Sequence, residues 1–147
     1  MGLFDALLGG GSSSETLTPQ EAYAGILVAV ACGDGHLSEQ EIGNLANVLP
    51  RMKLYQSCSG DQQIAIVNRM IGLAKKHGLQ VLMERSTKAC PPALRQTAFA
   101  NAVDIVLADG IAEESEREVL QTLMRLLNIP GDDAKTIVDV MVIKNRG

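Results

Sequence analysis

One pattern occurs twice in this chain and limits what it can become: an apolar stretch, an Asp-Gly turn, and a glutamate-rich start to an amphipathic run. Placing Asp34 over Asp109 puts Gly35 over Gly110, Glu39 over Glu114, Glu41 over Glu116, Leu45 over Leu120 and Leu49 over Met124, a constant offset of 75 residues. In each copy a helix ends at the Asp, the Gly is able to take positive φ, and a Glu falls seven residues after the Asp, in the first turn of the next helix. Two helices joined in this way, written twice, predict an all-α chain with two structurally related halves. No segment alternates with period two over the length of a strand.

The rest of the chain fills in that plan. Thr18-Pro19-Gln20-Glu21 reads as a helix start, with Thr18 as N-cap, Pro19 at the first position and Glu21 closing a capping box. The first helix is predicted from there to about residue 33, and apolar residues on nearly all its faces make it a central helix. Ser38-Glu39-Gln40-Glu41 starts the second, which carries Ile42, Leu45, Ala46 and Leu49 and stops at Pro50. Residues 54–60 look like a turn, and residues 61–77 a third helix with the stripe Ile64, Val67, Ile71 and Ala74, capped by Gly78. A short fourth helix is predicted over 79–89, and a fifth opens at Pro91-Pro92 and runs to Asp109. The sixth, over 113–127, puts Leu120, Leu123, Met124 and Leu127 on one face and ends at Asn128-Ile129-Pro130-Gly131. The last, over 132–144, presents Ile137, Val140 and Met141 to the core. The expectation is a compact bundle of about seven helices over residues 18–147.

Residues 1–17 stand apart from that domain. Met1-Gly2-Leu3-Phe4-Asp5-Ala6-Leu7-Leu8 is apolar, and the Gly/Ser run that follows has the composition of a flexible linker. Leu3, Phe4, Leu7 and Leu8 have helical spacing, which suits a membrane surface or a partner's groove, while a disordered tail is the plain alternative. The tip has no Lys or Arg to reinforce contact with anionic lipid.

Composition excludes several functions. The net charge of −4 has the wrong sign for a dedicated nucleic-acid binder, and 3% aromatic content leaves few platforms for stacking bases or sugars. Cys32, Cys58 and Cys90 match no zinc-ligand spacing, and an odd number of cysteines fits a reducing, cytoplasmic setting. The longest uncharged apolar run, residues 22–33, is far short of the ~20 residues that span a membrane. No phosphate loop, nucleophile elbow or catalytic triad spacing is present, so the expected answer to enzymatic activity is no. The basic middle section, with Arg69, Lys75, Lys76, Arg85 and Lys88, reads as a solvated face.

The chemistry worth following is at the joints. Glu41 and Glu116 precede Leu45 and Leu120 by four residues, so each extends a buried stripe and leans inward. If the halves pack about a pseudo-twofold axis, Asp34, Glu41, Asp109 and Glu116 converge, and confined carboxylates need a cation or protons to offset their charge. All-oxygen ligands favour calcium or magnesium. The plainer reading is that Ser38 with Glu41 forms a capping box and the aspartates complete turns. The first joint also matches the second half of an EF-hand loop, but Val30 and Cys32 stand where that loop needs carboxylates, which rules it out. His36 lies beside Asp34, and His77 at a helix end reads as surface. Asp104 interrupts an apolar helix where the other copy has Ala29, and faces solvent, a polar slot or the acidic site.

The doubled joints, Leu107-Ala108-Asp109-Gly110 with Glu113, Glu114 and Glu116, and Asp34-Gly35-His36-Leu37-Ser38-Glu39-Gln40-Glu41, resemble the bacterial tellurite-resistance TerB family. The resemblance covers about residues 19–145. It implies a compact all-helical fold of two related halves, a clustered acidic surface, no established enzymatic activity, and a role in metal-linked stress responses, often beside membrane-associated partners. Carried over, the acidic site comprises Asp34, Glu41, Asp109 and Glu116. Gly33 departs from the second copy's Ala108. Two functions follow as expectations: a cytoplasmic module that binds a divalent cation at the two joints, or a metal-free adaptor. The adaptor would dock a protein partner, or a membrane peripherally, through its acidic face or residues 1–8.

Overall fold

The computed structural model of the chain describes residues 16–32, 39–108 and 114–146, with the side chains of 39–42 and 44 outside that description. Among the described residues the architecture is all-α, with seven helices and no strand. They are α1 (Pro19–Ala31), α2 (Glu39–Val48), α3 (Gly60–His77), α4 (Leu79–Ala89), α5 (Arg95–Leu107), α6 (Glu114–Leu126) and α7 (Gly131–Lys144). Short 3₁₀ turns at Leu49–Arg51, Lys53–Tyr55 and Pro92–Leu94 link them. An offset of 75 residues carries Glu39, which opens α2, onto Glu114, which opens α6.

α1 is the centre of the bundle. Every residue from Glu21 to Cys32 is buried, because α3, α4 and α5 all pack on this one helix. Its start is held as the sequence predicts: Thr18 Oγ1 accepts from Glu21 N at 3.1 Å and Glu21 Oε1 accepts from Thr18 N at 3.0 Å, a complete capping box. The second Glu21 oxygen meets Arg69 of α3 at 2.6 Å, so a carboxylate that the fold buries keeps a charge partner.

The approach of α4 to α1 depends on one missing side chain. A Cβ on Gly25 would stand 2.1 Å from Ser86 Oγ and 3.3 Å from Leu82 Cδ1, so only glycine lets the two helices pack at this separation. The Ser86 hydroxyl is buried there with no hydrogen-bond partner. Gly78 alone separates α3 from α4, its φ of 95° turning the chain while its N–H returns to Ala74 O at 2.8 Å.

The end of α6 is a complete Schellman motif: Asn128 takes φ 55°, Ile129 N donates to Met124 O at 3.0 Å, and Asn128 N to Arg125 O at 3.1 Å. Asn tolerates the left-handed region better than most residues, and buried Ile129 supplies the apolar contact that accompanies the motif. α7 then runs parallel to α5. Gln96 Nε2 donates to Asp133 at 3.3 Å near their starts, and Lys144 Nζ reaches both oxygens of Asp104 at 3.1 Å near their ends.

Several details differ from the periodicity reading. α1 stops at Ala31 and α5 starts at Arg95, because Pro92–Leu94 winds as 3₁₀ helix before it. α3 has a capping box of its own, with Ser59 Oγ accepting from Gln62 N and Gln62 Oε1 from Ser59 N. The turn-like segment before it delivers Tyr55 into the core. Ile64 and Val140, assigned to buried stripes, are 55% and 51% exposed; Met70 and Ala134 are buried on those helices. Among the described residues no helix is long and apolar enough to cross a membrane.

Candidate functional site

The two joints fall between α1 and α2 and between α5 and α6. Asp34 and Asp109 lie outside the described residues, as do Gly33, Gly35, His36, Gly110 and Glu113. Glu41 belongs to the first turn of α2, with its side chain outside the description. Glu116 is described. It sits in the first turn of α6, half-buried, engaged with a partner, and one turn before Leu120 on the stripe that continues to fully buried Leu123 and Leu127. Its neighbours Glu114 and Glu118 are exposed, and Glu114 approaches Arg117 at 3.8 Å. Among the described residues no three His, Cys, Asp or Glu side chains are grouped to hold a metal ion.

The helices that carry the two joint glutamates share one neighbour: α1 touches α2, which carries Glu41, and also α6, which carries Glu116.

Along α6 the structure has a feature that periodicity did not reveal. A cleft of about 440 Å³ opens between α4 and α6, with Ala29 of α1, Leu79, Met83, Val119 and Leu126 as its apolar lining. Gln80, Glu84, Ser115, Glu118, Thr122 and Arg125 supply its polar positions. Gln80 Nε2 donates to Glu84 Oε1 at 3.2 Å, which fixes one carboxylate at the rim. The cleft has the volume of a site for a small ligand or a few side chains of a partner. Its signal in sequence is faint: both helices carry a polar flank next to an apolar stripe, but only their packing makes one surface of the two.

Elsewhere the polar groups serve the fold. The Tyr55 hydroxyl donates to Gln20 O at 2.7 Å and the Tyr23 hydroxyl accepts from Asn101 Nδ2, with the two rings edge to face at 6.4 Å. Burial pushes the Tyr23 phenol up to about 12 against the opposing effect of Asn101, and burial raises Tyr55 further. The Cys90 thiol is likewise raised by burial, with nearby Arg95 opposing, which makes it a poor thiolate nucleophile. Cys32 is buried and Cys58 half-buried. Asp104 occupies a polar slot, where Lys144 and Asn145 Nδ2 (2.8 Å) clasp it to the end of α7. His77 is exposed.

Compared with known proteins, residues 20–138 match the family model described as Tellurite resistance protein TerB. No curated protein and no solved structure matches the chain.

Proposed function

The chain belongs to the tellurite-resistance TerB family, and we propose that within it this protein is a non-enzymatic cytoplasmic module of a metal-linked stress response. It takes a divalent cation between its two acidic joints, with Asp34 and Glu41 from one and Asp109 and Glu116 from the other. The observation that carries this reading is Glu116: a half-buried carboxylate in the first turn of α6, on its core-facing stripe, beside the helix that also packs against α2. The two related halves supply the pairing. A hard cation with oxygen ligands, calcium or magnesium, offsets the repulsion that four carboxylates build up together.

Isothermal calorimetry with calcium, magnesium, manganese and zinc tests it. The expected result is saturable binding of one hard cation that Asp109→Asn with Glu116→Gln abolishes. No heat from the wild-type chain, or unchanged heat from the double variant, removes the proposal.

A second reading, a metal-free adaptor for a protein partner, is favoured by the cleft between α4 and α6, whose apolar lining and polar rim resemble a docking surface more than a solvated face. Val119→Arg inside the cleft separates the two readings: it would abolish partner capture and leave cation binding untouched.

A further inference from the structure

A second, smaller depression lies on another face, between the end of α2 and α3. It is lined by Ala46, Leu49, Pro50, Gln63, Ile64 and Val67, with a volume of about 160 Å³. Its surface is mostly apolar, and Ile64 on its rim is among the few large aliphatic side chains that the described residues expose. A cavity of about 150 Å³ lined by aliphatic side chains is large enough for a benzene ring. This one therefore accepts a single phenyl group and is too small for a typical drug-sized ligand.

The chain has two phenylalanines; Phe99 is buried in the core of α5 and the other is Phe4, in the apolar tip. We propose that the depression between α2 and α3 is the dock for the chain's own residues 3–8, with Phe4 as the anchor. Tether length and attachment point support that occupant. The described chain begins at Thr16, and α1 starts three residues later. The first turn of α1 is fastened to the 3₁₀ turn that leads from α2 to α3 and to α3 itself: Gln20 O accepts from Tyr55, Gln20 Nε2 donates to Leu54 O at 3.4 Å, and Glu21 pairs with Arg69, next to Asn68 on the dock's edge. From Leu8 to Thr16 is eight residues, about 26–29 Å when extended and about 16 Å as a flexible coil. Either reach exceeds the ~10–12 Å width of one helix.

Charge agrees with the placement, since Asp5 beside Phe4 is the tip's one acidic side chain and Arg51 is exposed beside Pro50 at the dock. A tip this small binds weakly from solution, but a short Gly/Ser-rich tether holds it at an effective concentration of order millimolar, enough to keep a millimolar binder docked about half the time. Docking hides the apolar tip from membranes and partners until something competes for it.

Nuclear magnetic resonance on the whole chain tests the dock. Deletion of residues 1–11, and separately Phe4→Asp, should shift the amides of Gly60, Gln63 and Asn68 and the methyls of Ile64 and Val67. Resonances of α5 and α7 should stay in place, which also reports that the fold is intact. A synthetic peptide of residues 1–11, added at millimolar concentration to the truncated chain, should return the dock resonances towards their full-length positions. Unchanged dock resonances in the Phe4→Asp chain overturn the proposal. So do shifts that grow with protein concentration, which would put the tip in a second copy.

Discussion

Replacing Gly25 by alanine asks whether the contact between α1 and α4 is as close as the structure has it. The new Cβ would meet Ser86 Oγ at 2.1 Å, Ser86 Cβ at 3.2 Å and Leu82 Cδ1 at 3.3 Å. The hydroxyl has to rotate and two packed atoms have to yield, an overpacking cost of about 1–3 kcal/mol. Alanine returns about 1 kcal/mol in helix propensity, leaving a net loss of up to about 2 kcal/mol. For a chain of this size that lowers Tm by up to roughly 8 °C. Ser86→Ala alone points the other way: it removes a buried hydroxyl that has no hydrogen-bond partner and is expected to be neutral or stabilising by about 1 kcal/mol. The two changes together remove the worst contact, so the double variant should exceed Gly25→Ala by about 2 kcal/mol, with a coupling energy of about 1–2 kcal/mol. Urea unfolding of all four proteins measures this cycle. A Gly25→Ala chain more stable than wild type, or additive effects in the double variant, would show that the helices lie further apart than described.

Three other outcomes follow from the polar groups in and around the core. Glu21→Ala loses the capping acceptor and the partner of Arg69 together and should cost about 1–3 kcal/mol, whereas Glu21→Gln keeps the acceptor and should cost less; equal losses in urea titrations would discount the cap. Tyr23 and Tyr55 have folded-state pKa values above the unfolded value of 10, so their contribution is fully present below pH ~10 and is lost as pH rises through the folded values. For Tyr23, raised to about 12, the loss approaches about 2–3 kcal/mol by pH 12. The urea midpoint should hold from pH 7 to 9 and fall above 10, less steeply in Tyr23→Phe; a flat profile to pH 12 would contradict the burial. Asp104→Ala removes the 23%-exposed acceptor that holds Lys144 and Asn145 and should lower stability by about 1–2 kcal/mol, read by thermal unfolding. A change of less than about 0.3 kcal/mol would reduce that clasp to an ordinary surface ion pair.

What could be read from the sequence depended on how local the cause was. α1 was legible as a buried helix because its residues are apolar on every face, and no partner's position is needed to infer that such a helix must be surrounded. The box at Thr18 and Glu21, the cap at Gly78 and the stop at Asn128 are set by residues within a turn of one another, and each appears where the sequence put it. The Ser59–Gln62 box is equally local, and the Ser-x-x-Gln spacing was its signal. Tyr55 is different: it lies in a segment without periodicity, and its burial comes from α1, more than thirty residues away. Ile64 and Val140 satisfy helical spacing, yet sit at the edge of their stripes, more than half exposed. Gly25 also carried a hint, since glycine inside an apolar helix marks a close approach, but Ser86 could be named only from the structure. At the candidate site, spacing alone put Glu116 half inward, whereas the cleft beside it exists only because α4 packs on α6.

The enclosure of α1 also decides which side of the first joint can yield. α1 is gripped along its length and anchored at its start, so moving it means breaking the core and costs something close to the full unfolding free energy. α2 has far less holding it: among the described residues its packing is chiefly against the 3₁₀ turn that follows and against α1, and Gly43, Ala46 and Asn47 face solvent. Among the described residues, the first joint thus connects the most deeply buried helix to one with fewer neighbours, and opening at this end falls to α2. Were a cation to bind at the joint as proposed, the smaller cost would be that of lifting α2, with the core around α1 as a fixed floor.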